Sequence, residues 1–285
     1  MNYTLTDFEK FRLNGLYGIE EQDAVISLAI VNMIFRSDGK NNMVEGNCFR
    51  KWLNAKTNQK DYCAEYLSDE QDDRIPPITK VMMNPPFALK KGAEKEYKFV
   101  EHALKQMTNK GILFTVLPIS VLLEKGTKKW RRDILLKDNR LLGVITFPKD
   151  LFYPVNVGTL GLFIEKGVPH DYEKHQVYFA RCISDGFVKK KGVRKETSKV
   201  RNMLEEIKDE FRDFIKGKSQ NVKNIPEFKK ICLLDKGDAS VELPPEGYID
   251  NKIPTLEEIQ KGMEEMVREA ISFKIKYKEK LEAIK

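Results

Sequence analysis

Lys80-Val81-Met82-Met83-Asn84-Pro85-Pro86-Phe87 is the stretch on which the fold turns. Its first four residues read as a short apolar approach, a strand entering a sheet. The Pro-Pro pair then forbids both helix and sheet ladder, because neither proline has an N–H to donate and each fixes φ. A strand that stops there presents an amide side chain and an aromatic ring at its carboxyl end. Open α/β sheets place their ligands at that end of the parallel strands. An amide that donates and accepts, a rigid turn and a flat ring can together hold a planar base by its edge and its face.

Downstream, Tyr97, Val100, Leu104 and Met107 recur at helical spacing within residues 93–109 and make one core face. Gly111-Ile112-Leu113-Phe114-Thr115-Val116-Leu117-Pro118 is an apolar run with turn signals at both ends, as a buried parallel strand requires. A helix is expected over roughly Ser120 to Leu136, then a strand from Leu141 to Pro148. A further strand runs from Thr159 to Glu165 and is ended by Gly167. Upstream, Leu16-Tyr17-Gly18-Ile19-Glu20 reads as a strand ending in an acid. The helix from Asp23 to Phe35 is apolar on nearly all faces and is expected to be buried between a sheet and another layer. Ser37 to Lys40 closes it, with Gly39 suited to a left-handed cap, and Met43 to Asn47 reads as the next strand. Asn54 to Ile78 is polar and reads as a loop and irregular insertion. This β–α–β–α rhythm predicts an α/β, doubly wound sheet of the Rossmann type.

The pieces, in this order over about Leu16 to Lys166, resemble the amino-group DNA methyltransferases, in particular the adenine-specific modification subunits of type I restriction systems. That family carries Asn-Pro-Pro-Phe or Asn-Pro-Pro-Tyr at this place. The resemblance implies that Asn84 and the Pro85 carbonyl hold the exocyclic amine of the target, with Pro86 keeping the turn rigid. Phe87 would stack on the flipped-out adenine. The phrases Phe-Pro-Lys-Asp-Leu-Phe-Tyr-Pro and Val-Gly-Thr-Leu-Gly-Leu-Phe-Ile-Glu-Lys look like later family motifs, in which Phe152, Tyr153 and Val157 would help to wall the base pocket. They also read as ordinary core and loop residues.

An acid closing the strand of a first βα unit is the usual grip on ribose hydroxyls in nucleotide-type folds. By resemblance, Glu20 would bind the ribose of S-adenosyl-L-methionine and Phe49 would pack on its ring. Asn47 stands where the family usually carries Asp. The family's cofactor fingerprint, Asp-Pro-x-x-Gly-x-Gly, is not in this sequence: Met1 to Ile19 contain only Gly15 and Gly18. The chain is therefore expected to begin after that fingerprint, with the central strand and its glycine loop absent: either a split enzyme whose loop another polypeptide supplies, or the product of a truncated gene.

The 285 residues allow one large α/β domain or two smaller ones, with a 41% apolar share that suits a packed core. The net charge of +7 suits a polyanionic partner without requiring one. Cys48, Cys63, Cys182 and Cys232 are scattered, so neither a zinc site nor a disulfide framework is indicated, and no metal is called for. No signal peptide is expected, and the apolar run from Ala24 to Phe35 is too short to span a bilayer. A cytoplasmic location is expected.

Composition shifts beyond Gly167. The expected division is a catalytic core over residues 1–168 and a basic, mainly helical extension over 169–285. Gln176 to Ala180 reads as an edge strand and Val200 to Ile215 as helix. Lys189-Lys190-Lys191-Gly192-Val193-Arg194-Lys195 is a basic run that is either a solvated face or a phosphate contact. Thr255 and Glu258 form a capping box. Behind it Leu256, Ile259, Met263, Met266, Ala270, Phe273 and Tyr277 follow at heptad spacing. That seam either packs on the chain's own body or docks to a partner helix; the resemblance implies a specificity subunit as the partner.

Three functions follow from this reading. The first is adenine methylation of double-stranded DNA. The second is a catalytically silent piece, or one half of a split methyltransferase. The third is a nucleic-acid or protein binding module without chemistry.

Overall fold

The structure is a computed structural model that describes residues 5–36, 42–49, 78–87, 94–152, 157–190, 193–218, 222, 225, 227–237, 241–250, 255–264, 266–268 and 271. The chain divides into two compact units, Met1–Ile249 and Asp250–Lys285.

Unit one opens with a helix, α1 (Leu5–Asn14), and then a βαβ element. Strands β1 (Gly18–Glu20) and β2 (Met43–Glu45) lie parallel, joined by helix α2 (Asp23–Phe35). The main sheet is built from β3 (Ile78–Met83), β4 (Met107–Pro118), β5 (Asn139–Thr146), β6 (Thr159–Lys166), β7 (Val177–Arg181) and β10 (Lys229–Cys232). Its strand order is β10-β7-β5-β6-β4-β3. Between β7 and β10 the chain forms an antiparallel hairpin, β8 (Phe187–Lys190) and β9 (Val193–Glu196).

The sheet is mixed rather than uniformly parallel. β3 pairs parallel with β4, and β5 parallel with β7, but β6 runs antiparallel to both β4 and β5. Residues 147–158 connect β5 to β6, and β6 returns in the opposite direction beside β5. Four strands therefore share one direction, and their carboxyl ends at Met83, Pro118, Thr146 and Arg181 fall on one edge of the sheet.

Helices cover both faces. Helix α3 (Glu96–Gln106) lays Val100, Ala103 and Leu104 on one face, against Leu113, Leu117, Leu141, Leu160, Leu162 and Ile164. Helix α4 (Met203–Ile215) lays Met203, Ile207, Phe211 and Phe214 on the other, against Leu142, Ile145, Tyr178 and Ala180. Asn202 caps α4, its side-chain oxygen accepting from the Leu204 N–H at 3.1 Å. Gly161 is required in β6, because a Cβ there would lie 2.8 Å from the Phe114 ring and 2.9 Å from the Phe147 ring.

Four expectations change. The strand read as an edge, Gln176 to Ala180, is interior, flanked by β5 and β10. The sheet consequently continues past residue 168: β7 and β10 belong to it, and the first unit closes at Ile249. The helix expected from Ser120 to Leu136 is broken into 3₁₀ turns (Ile119–Leu122 and Lys125–Thr127), one α turn (Lys128–Trp130) and a π turn (Arg131–Leu136). The Arg131 guanidinium supplies the reason, donating to the Val121 and Glu124 carbonyls and to Thr127 Oγ1, so that the break satisfies its own backbone acceptors. Helix α2, expected to be buried, keeps only Ile26 fully inside; Leu28 is 63% exposed and Phe35 84%. Gly39 lies outside the described residues.

In the second unit the capping box is present. Glu258 N donates to Thr255 Oγ1 at 3.2 Å, and Thr255 N to the Glu258 carboxylate at 2.8 Å. Leu256, Ile259, Met263 and Met266 are all exposed. Ala270, Phe273 and Tyr277 lie outside the described residues. Among those residues no helix is long and apolar enough to cross a membrane.

Candidate active site

β3 stops at Met83, and Asn84-Pro85-Pro86-Phe87 follows at the carboxyl edge of the sheet. Asn84 and Pro86 are exposed, Pro85 is buried and Phe87 is half-buried. The buried proline anchors the turn while the amide stands free of the core. The Phe87 ring meets Phe152 edge to face, with centroids 6.1 Å apart and planes at 81°. Phe152 closes the turn that leaves β5, where Leu151 N donates to the Pro148 carbonyl at 3.0 Å. Two motifs 65 residues apart thus present their rings to each other at one open corner. Tyr153 lies outside the described residues.

The residues assigned to the cofactor gather at the end of the β1–β2 pair, on a different sheet. Glu20 and Glu45 are register partners. The Glu20 carboxylate accepts from Gln22 N at 2.8 Å through Oε1, at the amino end of α2, where a negative charge meets unpaired backbone N–H groups. Asn47 turns the chain: its Oδ1 accepts from Phe49 N at 2.9 Å and its Nδ2 donates to Glu21 at 3.2 Å. Phe49 packs on α3, with ring centroids 4.6 Å from Phe99 and 5.0 Å from His102. These groups fit a nucleoside in kind: an acid with its second oxygen outside that bond, an amide turn and a ring. The Phe49 contact also ties this end to the helix that follows the Asn84 turn.

Two features of the same edge have no local signal in the sequence. One is a cavity of about 570 Å³ over the ends of β4 to β7, lined among others by Ile119, Phe147, Lys149, Arg181, Cys182 and Glu246. Asn84 to Phe87 do not line it. Its carboxylate is engaged, since Glu246 accepts from Thr146 Oγ1 at 3.0 Å and pairs with Arg181 at 3.6 Å. Burial pushes the Cys182 thiol up to about 11, so it carries no thiolate near neutrality. The other is Arg194 on β9, whose Nη2 donates to both Asp185 carboxylate oxygens at 2.6 and 2.8 Å and whose Nε donates to Asp150 at 3.3 Å. Only the fold brings together residues 44 positions apart in this way. Among the described residues no cluster of three or more His, Cys, Asp or Glu is arranged for a metal ion.

The N-6 DNA methylase family model matches residues 5–249. The type II restriction enzyme and methyltransferase RM.BcgI of Heyndrickxia coagulans is 32% identical over 185 residues, which is 63% of this chain and 26% of that protein. The chain therefore spans about a quarter of the length of this relative. Among solved structures, a chain of the type I R-M system superposes with a TM-score of 0.60 at 19% identity, covering 100% of this chain and 58% of that one. The methyltransferase subunit of a type I restriction-modification system from Streptococcus thermophilus gives 0.56 at 18% identity, covering 80% and 47%. At these identities the two structures speak to the fold.

Proposed function

The chain belongs to the N-6 DNA methylase family, and from that premise we propose that it is the target-base half of an adenine-specific DNA methyltransferase in a restriction-modification system. The single observation that carries the reading is the open corner: Asn84 exposed on a buried Pro85, with the Phe87 and Phe152 rings facing each other beside it. Extruding a base from duplex DNA takes it to such a place, where its Watson–Crick edge and its face are both held.

The exocyclic amine of adenine is a poor nucleophile because its lone pair is delocalised into the ring. Asn84 and the Pro85 carbonyl accept hydrogen bonds from that amine, favour a pyramidal nitrogen and aim its lone pair. Phe87 holds the ring plane, and Pro86 holds the turn. S-adenosyl-L-methionine supplies an electrophilic methyl group when bound, with Glu20, Asn47 and Phe49 as the residues of this chain that touch its nucleoside. Double-stranded DNA is the substrate. The heptad face of the terminal helix is the docking site for a specificity subunit, and the protein works in the cytoplasm.

The test is a reconstituted methylation assay followed by nuclease digestion and mass spectrometry of the nucleosides. N6-methyladenine is expected from the parent, with a loss of at least about a hundredfold in Asn84→Ala, the size of a lost positioned transition-state contact. Methylcytosine as the product, or full activity in Asn84→Ala, ends the reading.

A second observation bears on how much of the enzyme this chain supplies. Helix α2 is apolar, yet Val25, Leu28, Val31, Ile34 and Phe35 are all exposed. In the working enzyme a further segment covers α2, and the fold without that cover holds S-adenosyl-L-methionine weakly. Calorimetric titration of the isolated chain with S-adenosyl-L-methionine is expected to give no micromolar binding; such binding refutes the need for that cover.

A further inference from the structure

We propose that the β8–β9 hairpin and the turn of residues 148–152 form one cationic rim that grips the phosphate backbone of duplex DNA beside the extruded base. The proposal rests on the methyltransferase reading for its substrate and adds the surface that holds it.

Three observations carry it. First, position: β7 ends at Arg181 on the carboxyl edge of the sheet, and the hairpin rises from that edge, the one on which Asn84 and Phe87 stand. Second, charge: among the described side chains of residues 149–150 and 185–196, Lys149, Lys189, Arg194 and Lys195 stand against Asp150, Asp185 and Glu196, so the segments carry a positive surplus. Lys149 and Lys189 are exposed. Third, rigidity: Arg194 is the pin. Its Nη2, shared by both Asp185 oxygens, fixes the base of the hairpin, its Nε reaches Asp150 at 3.3 Å, and its guanidinium lies 5.4 Å from the Phe187 ring centroid. Phe187 N also donates to Asp185 at 3.2 Å.

The register sets the geometry. Lys189 faces Arg194 directly across the hairpin, so both project from the same face. That face meets Asp150, and Lys149 is the neighbour of Asp150 on the turn that leads to Phe152. The two lysines thus flank the pin, Lys149 three residues from the ring that meets Phe87 and Lys189 across the ladder from Arg194. Arg194 is spent on the two carboxylates and is not itself a phosphate ligand. A duplex whose base is extruded toward Phe87 and Phe152 brings its own backbone to this rim, and lysine ammonium groups suit phosphate contact without reading sequence.

Because such contact is independent of sequence, the recognised site need not be known. The experiment is fluorescence anisotropy of the full chain with a labelled mixed-sequence duplex across a salt series. Each phosphate contact removed lowers the slope of log K against log salt by about 0.9. Lys149→Gln/Lys189→Gln is expected to lower the slope by about 1 to 2 and to weaken binding at least about tenfold at low salt. The control, Lys137→Gln/Lys174→Gln, removes the same charge from the opposite edge of the sheet, where β5 and β7 begin, and is expected to leave the slope unchanged. Equal slopes for the parent and the rim variant overturn the proposal, as do equal losses in the rim variant and the control, which would mark a generic charge effect. Methylation of adenine by the reconstituted parent with an unchanged rim slope would leave the enzyme reading standing and remove the rim alone.

Discussion

Phe87 and Phe152 meet edge to face across 6.1 Å, a separation within the usual range for aromatic pairs. Each ring is half-buried, so each keeps a surface for a third flat partner. Stacking of a base on an aromatic side chain contributes about 1–3 kcal/mol by alanine substitution. Phe87→Ala and Phe152→Ala are each expected to raise KM for DNA about tenfold in the reconstituted enzyme, with Phe87→Tyr close to the parent because the ring survives. If both alanine variants keep the parental KM, neither ring touches the base. His170 gives a test at the same scale that is independent of function. It is 6% exposed, its two ring nitrogens have no hydrogen-bond partner among the described residues, and burial pushes it down to about 4. The fold thus favours the neutral ring, while the unfolded chain takes up a proton near the ordinary value of about 6.5. Stability is therefore complete above about pH 6.5 and is lost as pH falls toward about 4, by no more than about 3 kcal/mol. Urea unfolding at about pH 7.5 and about pH 5 should show this loss in the parent and a smaller one in His170→Leu.

Elements follow from pattern where pattern is local. β3 and its Pro-Pro stop, β4, β5 and α4 stand close to where periodicity and turn residues put them, because a buried strand or an amphipathic helix declares itself within about ten residues. The direction of β6 is not written in that way. Its apolar run is equally good for a parallel or an antiparallel neighbour, and nothing within the run distinguishes the two. The interrupted stretch from Ile119 to Leu136 is hidden for another reason: its helical pattern is overridden by one buried side chain. Arg131 is 1% exposed and donates to the Val121, Glu124 and Val241 carbonyls and to Thr127 Oγ1 at 2.7 to 3.2 Å. Val241 is 110 residues away in sequence, so nothing local announces the contact. Arg131→Met keeps the bulk and removes the donors, leaving buried acceptors unpaired. A loss of about 2–4 kcal/mol is expected in the urea unfolding free energy; a change under about 0.5 kcal/mol, the size of a neutral surface substitution, would mean that water replaces the guanidinium. Of the candidate site, what the sequence shows is the placement of Asn84 to Phe87 and of Glu20 at strand ends, because a strand and its stop are local patterns. The Arg194 pin and the cavity were not, since both are assembled from loops that meet only in three dimensions.

At the scale of the whole molecule the unresolved tension is α2. A helix this apolar belongs between two layers, yet Leu28 at 63%, Ile34 at 53% and Phe35 at 84% face solvent. The neighbouring strands β1 and β2 make only a two-stranded sheet, and two strands without a further layer are marginal in water. A segment laid on α2 would give this βαβ element its missing cover. Burying one large apolar side chain contributes roughly 1.5–3 kcal/mol, so Leu28→Gln/Ile34→Gln should weaken association with that segment by at least about a hundredfold. In the isolated chain the same pair of substitutions should change unfolding stability by less than about 0.5 kcal/mol, as exposed positions do, and should reduce self-association. Sedimentation velocity reads both effects: a smaller sedimentation coefficient for the variant alone, and failure to co-sediment with the complementing segment. A variant that assembles as the parent does would place the cover elsewhere and leave the exposed helix without a partner, while methylation by that assembled variant would still require Asn84.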